Sequence, residues 1–126
     1  RAVAKIKAGK QEKLYLGNMD AVRDWGYAPE YVESMWLMLQ QESPGDYVVA
    51  TGVGATVRDF AQESFTHANL DWEKHIVVDE KYRRPTEVEA LIGDPSYAEK
   101  VLGWKAKTHW DALARIMVDA DLQTEL

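Results

Sequence analysis

Two polar loops hold the residues best suited to bind a charged ligand. The first runs from Leu16 to Gly26 and contains Asn18, Arg23 and Asp24; the second runs from Lys81 to Val88 and contains Arg83, Arg84 and Glu87. Each places arginine in a stretch with neither helical nor strand period. A guanidinium binds phosphate through paired N–H bonds and keeps its charge at any working pH. Glycine beside it lets the backbone approach a ligand closely. A carboxylate such as Glu87 accepts two N–H bonds from a base edge, as guanine presents them on its Watson–Crick side. Two arginine loops converging on a diphosphate account for these residues. So does a plainer arrangement, in which the arginines pair with Asp24 and Glu87 as surface salt bridges.

Other chemistry has less support. Gly52-Val53-Gly54-Ala55-Thr56-Val57 resembles a dinucleotide fingerprint, but the third glycine position holds β-branched Val57, which obstructs close helix–strand packing. A flexible turn before a capped helix explains the same residues. His67, His75 and His109 lack the i, i+3 or i, i+4 spacing of metal-binding pairs, so no metal site is expected. No Gly-x-Ser-x-Gly elbow supports a serine nucleophile. Trp36, Trp104 and Trp110 are expected in the core, whereas Trp25 lies in the first polar loop.

The elements that must position these loops follow from periodicity. Val3 and Ile6 share a helical stripe that Gly9 ends, with no capping residue before it. The segment 13–16 reads as a strand, 19–27 as a loop. Pro29 or Glu30 opens a helix with Val32, Met35, Trp36 and Leu39 on its core face. Ser43 to Asp46 is a turn, and Tyr47-Val48-Val49-Ala50 reads as a strand buried on both faces. Thr56 and Asp59 form a capping box for a helix that Asn69 stops, its apolar face carrying Phe60, Ala61 and Phe65. His75 to Val78 is a further strand. Asp94-Pro95 opens a short helix that Gly103 closes. Thr108 and Asp111 repeat the capping box before a last helix facing inward through Trp110, Leu113, Ala114, Met117 and Ala120. Alternating helices and short strands give an α/β, mixed α+β construction.

Composition sets the outer bounds. The 126 residues carry 15 Lys+Arg against 21 Asp+Glu, a formal charge of −6, with 46% hydrophobic residues. That suits one globular domain and disfavours nucleic acid, whose binders carry a basic face. No apolar run reaches the roughly 20 residues that span a bilayer as a helix, so no membrane partner is expected. Without cysteine there are no disulfides or thiolate sites. A cytoplasmic setting is expected.

Several segments together resemble the GDP-mannose 4,6-dehydratase family: 14–18, then Arg23-Asp24-Trp25-Gly26-Tyr27-Ala28, then the run from Tyr31 to Gln41 with its Met-Trp-Leu-Met-Leu-Gln-Gln. Arg84-Pro85-Thr86-Glu87-Val88, Gly93-Asp94-Pro95 and Leu102-Gly103-Trp104-Lys105 extend the likeness over nearly the whole chain. The Arg-Asp-Trp element alone is shared by many nucleotide-sugar enzymes; the combination is more specific.

The resemblance implies an extended short-chain dehydrogenase. Residues 1–126 are then its C-terminal, substrate-binding portion, truncated at the N-terminus, and the Rossmann domain is mostly absent. By resemblance, Arg23 and Arg84 contact the diphosphate or its ribose, Glu87 the nucleotide end, and Asn18 lines the same cleft. The family's catalytic Thr, Glu and Tyr-x-x-x-Lys lie in the missing N-terminal half, which also binds NADP. No tyrosine here is followed four positions on by lysine. Catalytic and cofactor-binding residues are therefore expected to be absent from this chain. Implied partners are GDP-mannose, the missing Rossmann half, and further copies in a dimer or tetramer. The implied reaction converts GDP-mannose to GDP-4-dehydro-6-deoxy-mannose and water, on the route to GDP-fucose, with the fragment alone inactive. Another nucleotide-sugar epimerase or dehydratase, or a non-catalytic sugar-nucleotide binding module, is the alternative. One departure stands out: where the family has Gly-Glu-Thr-His-Ser-Val, this chain has the glycine run at 52–57. The stretch from Asn69 to Lys81 also looks short for the family.

Overall fold

The computed structural model describes residues 1–125. Its elements are α1 (Ala2–Lys7), β1 (Leu14–Leu16), β2 (Val22–Asp24), α2 (Ala28–Leu39), β3 (Gly54–Thr56), α3 (Val57–His67), α4 (Trp72–His75), β4 (Ile76–Val78), β5 (Ala90–Leu91), α5 (Ser96–Leu102) and α6 (Trp110–Glu125). A 3-10 turn covers Glu80–Tyr82. The mixed α/β construction matches expectation. Two small sheets form: β1 pairs with β4 in parallel, and β2 lies between antiparallel β3 and parallel β5.

Local signals hold up well. The Thr56 hydroxyl accepts the Asp59 N–H, and the Asp59 carboxylate accepts the Thr56 N–H, so the capping box that starts α3 is complete. Asn69 ends that helix at φ 57°, and Gly103 ends α5 at φ 66°; both are left-handed conformations that side-chain-free or amide residues tolerate. Asp94 accepts the Ser96 N–H, which makes Pro95 the cap itself and starts α5 one residue later than expected.

Two cores result. Phe65, fully buried, gathers Val3, Ile6, Ala68 and Val118, joining α1, α3 and α6, with Leu14 and Ile76 of the parallel strands against them. The second core packs Ala98, Leu102, Trp104 and Ala106 against Tyr31, Leu37 and Met38 of α2, with Tyr47 and Val49.

Five expectations fail, each where a distant partner decides the outcome. Residues 22–24 are strand rather than loop, because β3 and β5 supply partners on both sides. Residues 47–50 run without a strand partner among the described residues. The face of α2 bearing Val32, Met35, Trp36 and Leu39 points outward, with Trp36 62% and Leu39 83% exposed. The helix instead buries Ser34, whose hydroxyl donates to the Tyr31 carbonyl at 2.5 Å. In α6 the inward row is Leu113, Ala114, Val118 and Leu122, leaving Met117 and Ala120 exposed. Thr108 does not repeat the earlier cap; its N–H donates to the Glu30 carboxylate at 3.0 Å, tying the start of α6 to the start of α2.

Candidate functional site

The site begins with a glycine. Gly17 ends β1, and a Cβ there would collide with the backbone of Tyr82 and Arg83, 2.5 Å from the Tyr82 carbonyl carbon and 2.8 Å from the Arg83 nitrogen. Only glycine lets the turn at 16–18 lie directly against the second arginine loop. Asn18 then folds its own turn, its side-chain oxygen accepting the Asp20 N–H at 2.9 Å. The result is an open cleft of about 520 Å³ whose lining includes Asn18, Asp20, Arg83, Arg84, Glu87 and Glu89.

Three of the four expected site residues, Asn18, Arg84 and Glu87, thus share one cleft. Arg23 does not line it. It sits on β2 in an adjoining hollow with Asp24, Leu91, Ile92 and Gly93. Its guanidinium donates to the Val22 and Val88 carbonyls at 2.7 and 2.9 Å and to Glu87 Oε1 at 3.3 Å. The Arg23–Glu87 ion pair is half-buried, so it is screened less than a surface pair. The plainer arrangement is therefore realised for this arginine with Glu87. It is not realised for Arg84, which is exposed and has no hydrogen-bond or ion-pair partner among the described residues. Arg83 lies 3.7 Å from Glu80.

Asp24 does a different job from the one spacing suggested. Among the described residues it pairs with no arginine. Its carboxylate accepts the Thr51 hydroxyl at 2.6 Å, the Thr51 and Gly52 N–H groups at 2.9 Å each, and the Gly93 N–H at 3.2 Å. Burial raises the pKa of this carboxyl, but the bonds from Thr51, Gly52 and Gly93 outweigh it and hold the group below its ordinary 3.8. Sequence reasoning missed this hub and the packing role of Gly17. A glycine between a strand and an asparagine was the available signal for the last.

The remaining candidates have structural roles. Trp25 stacks on Phe60 with ring centroids 4.3 Å apart and donates to the Ala55 carbonyl at 3.0 Å. His67 meets Asp119 at 2.7 Å, and His75 stacks on Phe65. Gly54 lies in β3, where a Cβ would sit 2.6 Å from Ile92 and 2.7 Å from Val22, so this turn is packed against side chains and offers no phosphate cradle.

A family model described as GDP-mannose 4,6 dehydratase matches residues 1–117. The chain belongs to the GDP-mannose 4,6-dehydratase family. Among its relatives, GDP-mannose 4,6 dehydratase 1 of Arabidopsis thaliana is 54% identical over 123 residues, covering 98% of this chain and 34% of its own length. The human and Dictyostelium discoideum enzymes of that name are each 46% identical over 140 positions. The longer alignments cover the same share of this chain, so those dehydratases carry additional residues that the plant protein and this one lack. This chain thus spans little more than a third of the curated dehydratases it matches. Among solved structures, RMD from Pseudomonas aeruginosa complexed with NADPH has a TM-score of 0.81 at 21% identity, covering 98% of this chain and 40% of that one. UDP-glucose 4-epimerase from Bifidobacterium longum in complex with NAD+ and UDP has a TM-score of 0.77 at 24% identity, covering 98% and 38%. Both establish the fold.

The glycine run at 52–57 of this dehydratase-family chain does not form a pyrophosphate cradle. The glycine run that could cradle a pyrophosphate is filled by Ile92 and Val22, and the Gly52 N–H is already given to Asp24 at 2.9 Å.

Proposed function

We propose that this chain is the nucleotide-sugar-holding portion of a GDP-mannose 4,6-dehydratase. The carrying observation is the contact at Gly17, which places Asn18, Arg84 and Glu87 around one cleft in a member of this family. In this reading the unpaired Arg84 guanidinium takes the diphosphate, with Arg83 beside it. Arg23 holds Glu87 through Oε1, leaving Oε2 to accept the N–H groups of a base. Asn18 supplies an amide N–H to the same cleft. Clamping the diphosphate keeps the sugar in register through several chemical steps without release.

The whole enzyme would convert GDP-mannose to GDP-4-dehydro-6-deoxy-mannose and water. The nicotinamide cofactor, NADP in this reading, and the proton-transfer groups belong to the part of the relatives' length that this chain does not span. Homo-oligomeric assembly and a cytoplasmic setting are parts of the same proposal. The likeness to a UDP-bound epimerase favours a uridine sugar nucleotide as the second reading.

The test is a chimera in which residues 1–126 replace the matching segment of the Arabidopsis relative. Given GDP-mannose and catalytic NADP, it is expected to yield a sugar nucleotide lighter by one water, with no net reduced cofactor. Binding of GDP-mannose without turnover would leave only a binding module. Preference for a uracil or thymine nucleotide would defeat the guanine assignment at Glu87, and absence of both binding and turnover would defeat the reading.

A further inference from the structure

We propose that Arg83 is the residue by which this cleft selects a diphosphate over a monophosphate: it leaves Glu80 and takes one of the ligand's two phosphates while Arg84 takes the other. This rests on the reading of the chain as the nucleotide-sugar-holding part of a dehydratase, and adds to it an exchange of partners and a specificity.

The need for a second cation follows from charge. The diphosphate diester of a sugar nucleotide carries a negative charge on each phosphate. Two arginines near the cleft are already engaged. Arg23 is held by the Val22 and Val88 carbonyls and Glu87, and Arg58 by Asp20 at 3.1 Å, with its guanidinium 5.9 Å from the centre of the Trp72 ring. Arg84 is free, but Glu89, exposed in the same lining, also has no ion-pair partner among the described residues. One free guanidinium therefore meets an unpaired carboxylate as well as both phosphates.

Arg83 is placed to supply the second charge. It lines the cleft, and its guanidinium lies 3.7 Å from Glu80 Oε1, too long for a hydrogen bond. The two side chains are 58% and 75% exposed, so this pair is weak beside the paired N–H bonds a phosphate accepts. The backbone beneath is fixed. The Asp79 N–H donates to the Leu16 carbonyl at 2.8 Å, the Arg83 N–H donates to the Glu80 carbonyl at 3.0 Å, and Gly17 packs against the peptide joining Tyr82 to Arg83. The exchange is thus a rotamer change over a rigid turn, with no loop to order. Arg83 is extended, at φ −76° and ψ 130°, and Arg84 precedes a proline, which favours the same region. Successive side chains of extended backbone leave on opposite sides, so the two guanidinium groups reach different parts of one ligand rather than a single atom.

The test uses the chimera, with GDP-mannose and GMP titrated by calorimetry and equal melting temperatures showing that the variants fold. Arg83→Ala is expected to weaken GDP-mannose about tenfold, the worth of one charged hydrogen bond, and to move GMP by less than about twofold. Arg83→Lys, which keeps the charge without the fork, is expected to recover part of that loss. Glu80→Gln is expected to tighten GDP-mannose about threefold, as release from an exposed ion pair allows, and to do nothing in the Arg83→Ala background. An unchanged GDP-mannose affinity in Arg83→Ala overturns the proposal, as does an equal loss for both ligands, which marks a general field. A Glu80→Gln gain that persists without Arg83 overturns the exchange. A chimera that prefers uracil nucleotides, and on Arg83→Ala loses UDP-glucose but not UMP, supports this role of Arg83 while sinking the guanine reading. A chimera that binds no sugar nucleotide sinks both.

Discussion

Arg84 and Arg23 bring the same guanidinium into different surroundings, and their substitutions should separate accordingly. Arg84 is exposed and unpaired, so its removal costs the free protein little. In the chimera, Arg84→Ala is expected to weaken GDP-mannose binding by about 2–4 kcal/mol, read by titration calorimetry. An unchanged dissociation constant removes Arg84 from the site. Arg23→Ala frees Glu87 and the Val88 carbonyl, so it should lower the melting temperature as well as affinity. Asp24 adds a pH dependence. Its pKa lies below the ordinary 3.8, so its contribution is fully present above that value and is lost as the pH falls through the folded-state value. Thermal melts should therefore show an acid-side loss of stability that Asp24→Asn diminishes, and an identical acid limb in both proteins would discount the hub.

Among the elements, α3 offers the cleanest test of local design. Thr56→Ala removes the side-chain acceptor of a complete capping box and should destabilise the chain by about 1 kcal/mol, measured by denaturant unfolding. The same box shows what could be read before the structure was known. Caps, αL stops at Asn69 and Gly103, and the periodicity of α3 depend on neighbours within a few residues, so the sequence displays them. The two arginine loops were legible for a similar reason: residue types unsuited to regular structure stood together. What could not be read depends on partners far along the chain. A three-residue strand such as β2 is too short to show a period, and it exists because residues 54–56 and 90–91 flank it. The α2 stripe was recognised correctly as apolar, but periodicity says only that a face is to be covered, not by what. Arg23 was placed in the right neighbourhood, and its pairing with Glu87, one of the two arrangements the sequence allowed, is set by the fold.

On the scale of the molecule, the two cores lie in different parts of the chain's contact pattern. Phe65 ties α3 to α1 and α6, and Phe65→Ala should cost about 3–5 kcal/mol, seen as a large drop in the unfolding midpoint. The second core packs Trp104 and its neighbours against Tyr31, Leu37 and Met38 of α2. Asp24 stands apart from both, because its four bonds draw on residues 51, 52 and 93. On the ribosome these partners emerge in order, and the last appears only after nearly seventy further residues. Until Gly93 is made, the carboxylate lacks one donor, and the segment that carries Leu91 and Ile92 is tied to β2 only through its own strand pairing. The Asp24 hub is thus completed late in synthesis, and a polypeptide cut short just before Gly93 would keep both arginines while lacking that last tie.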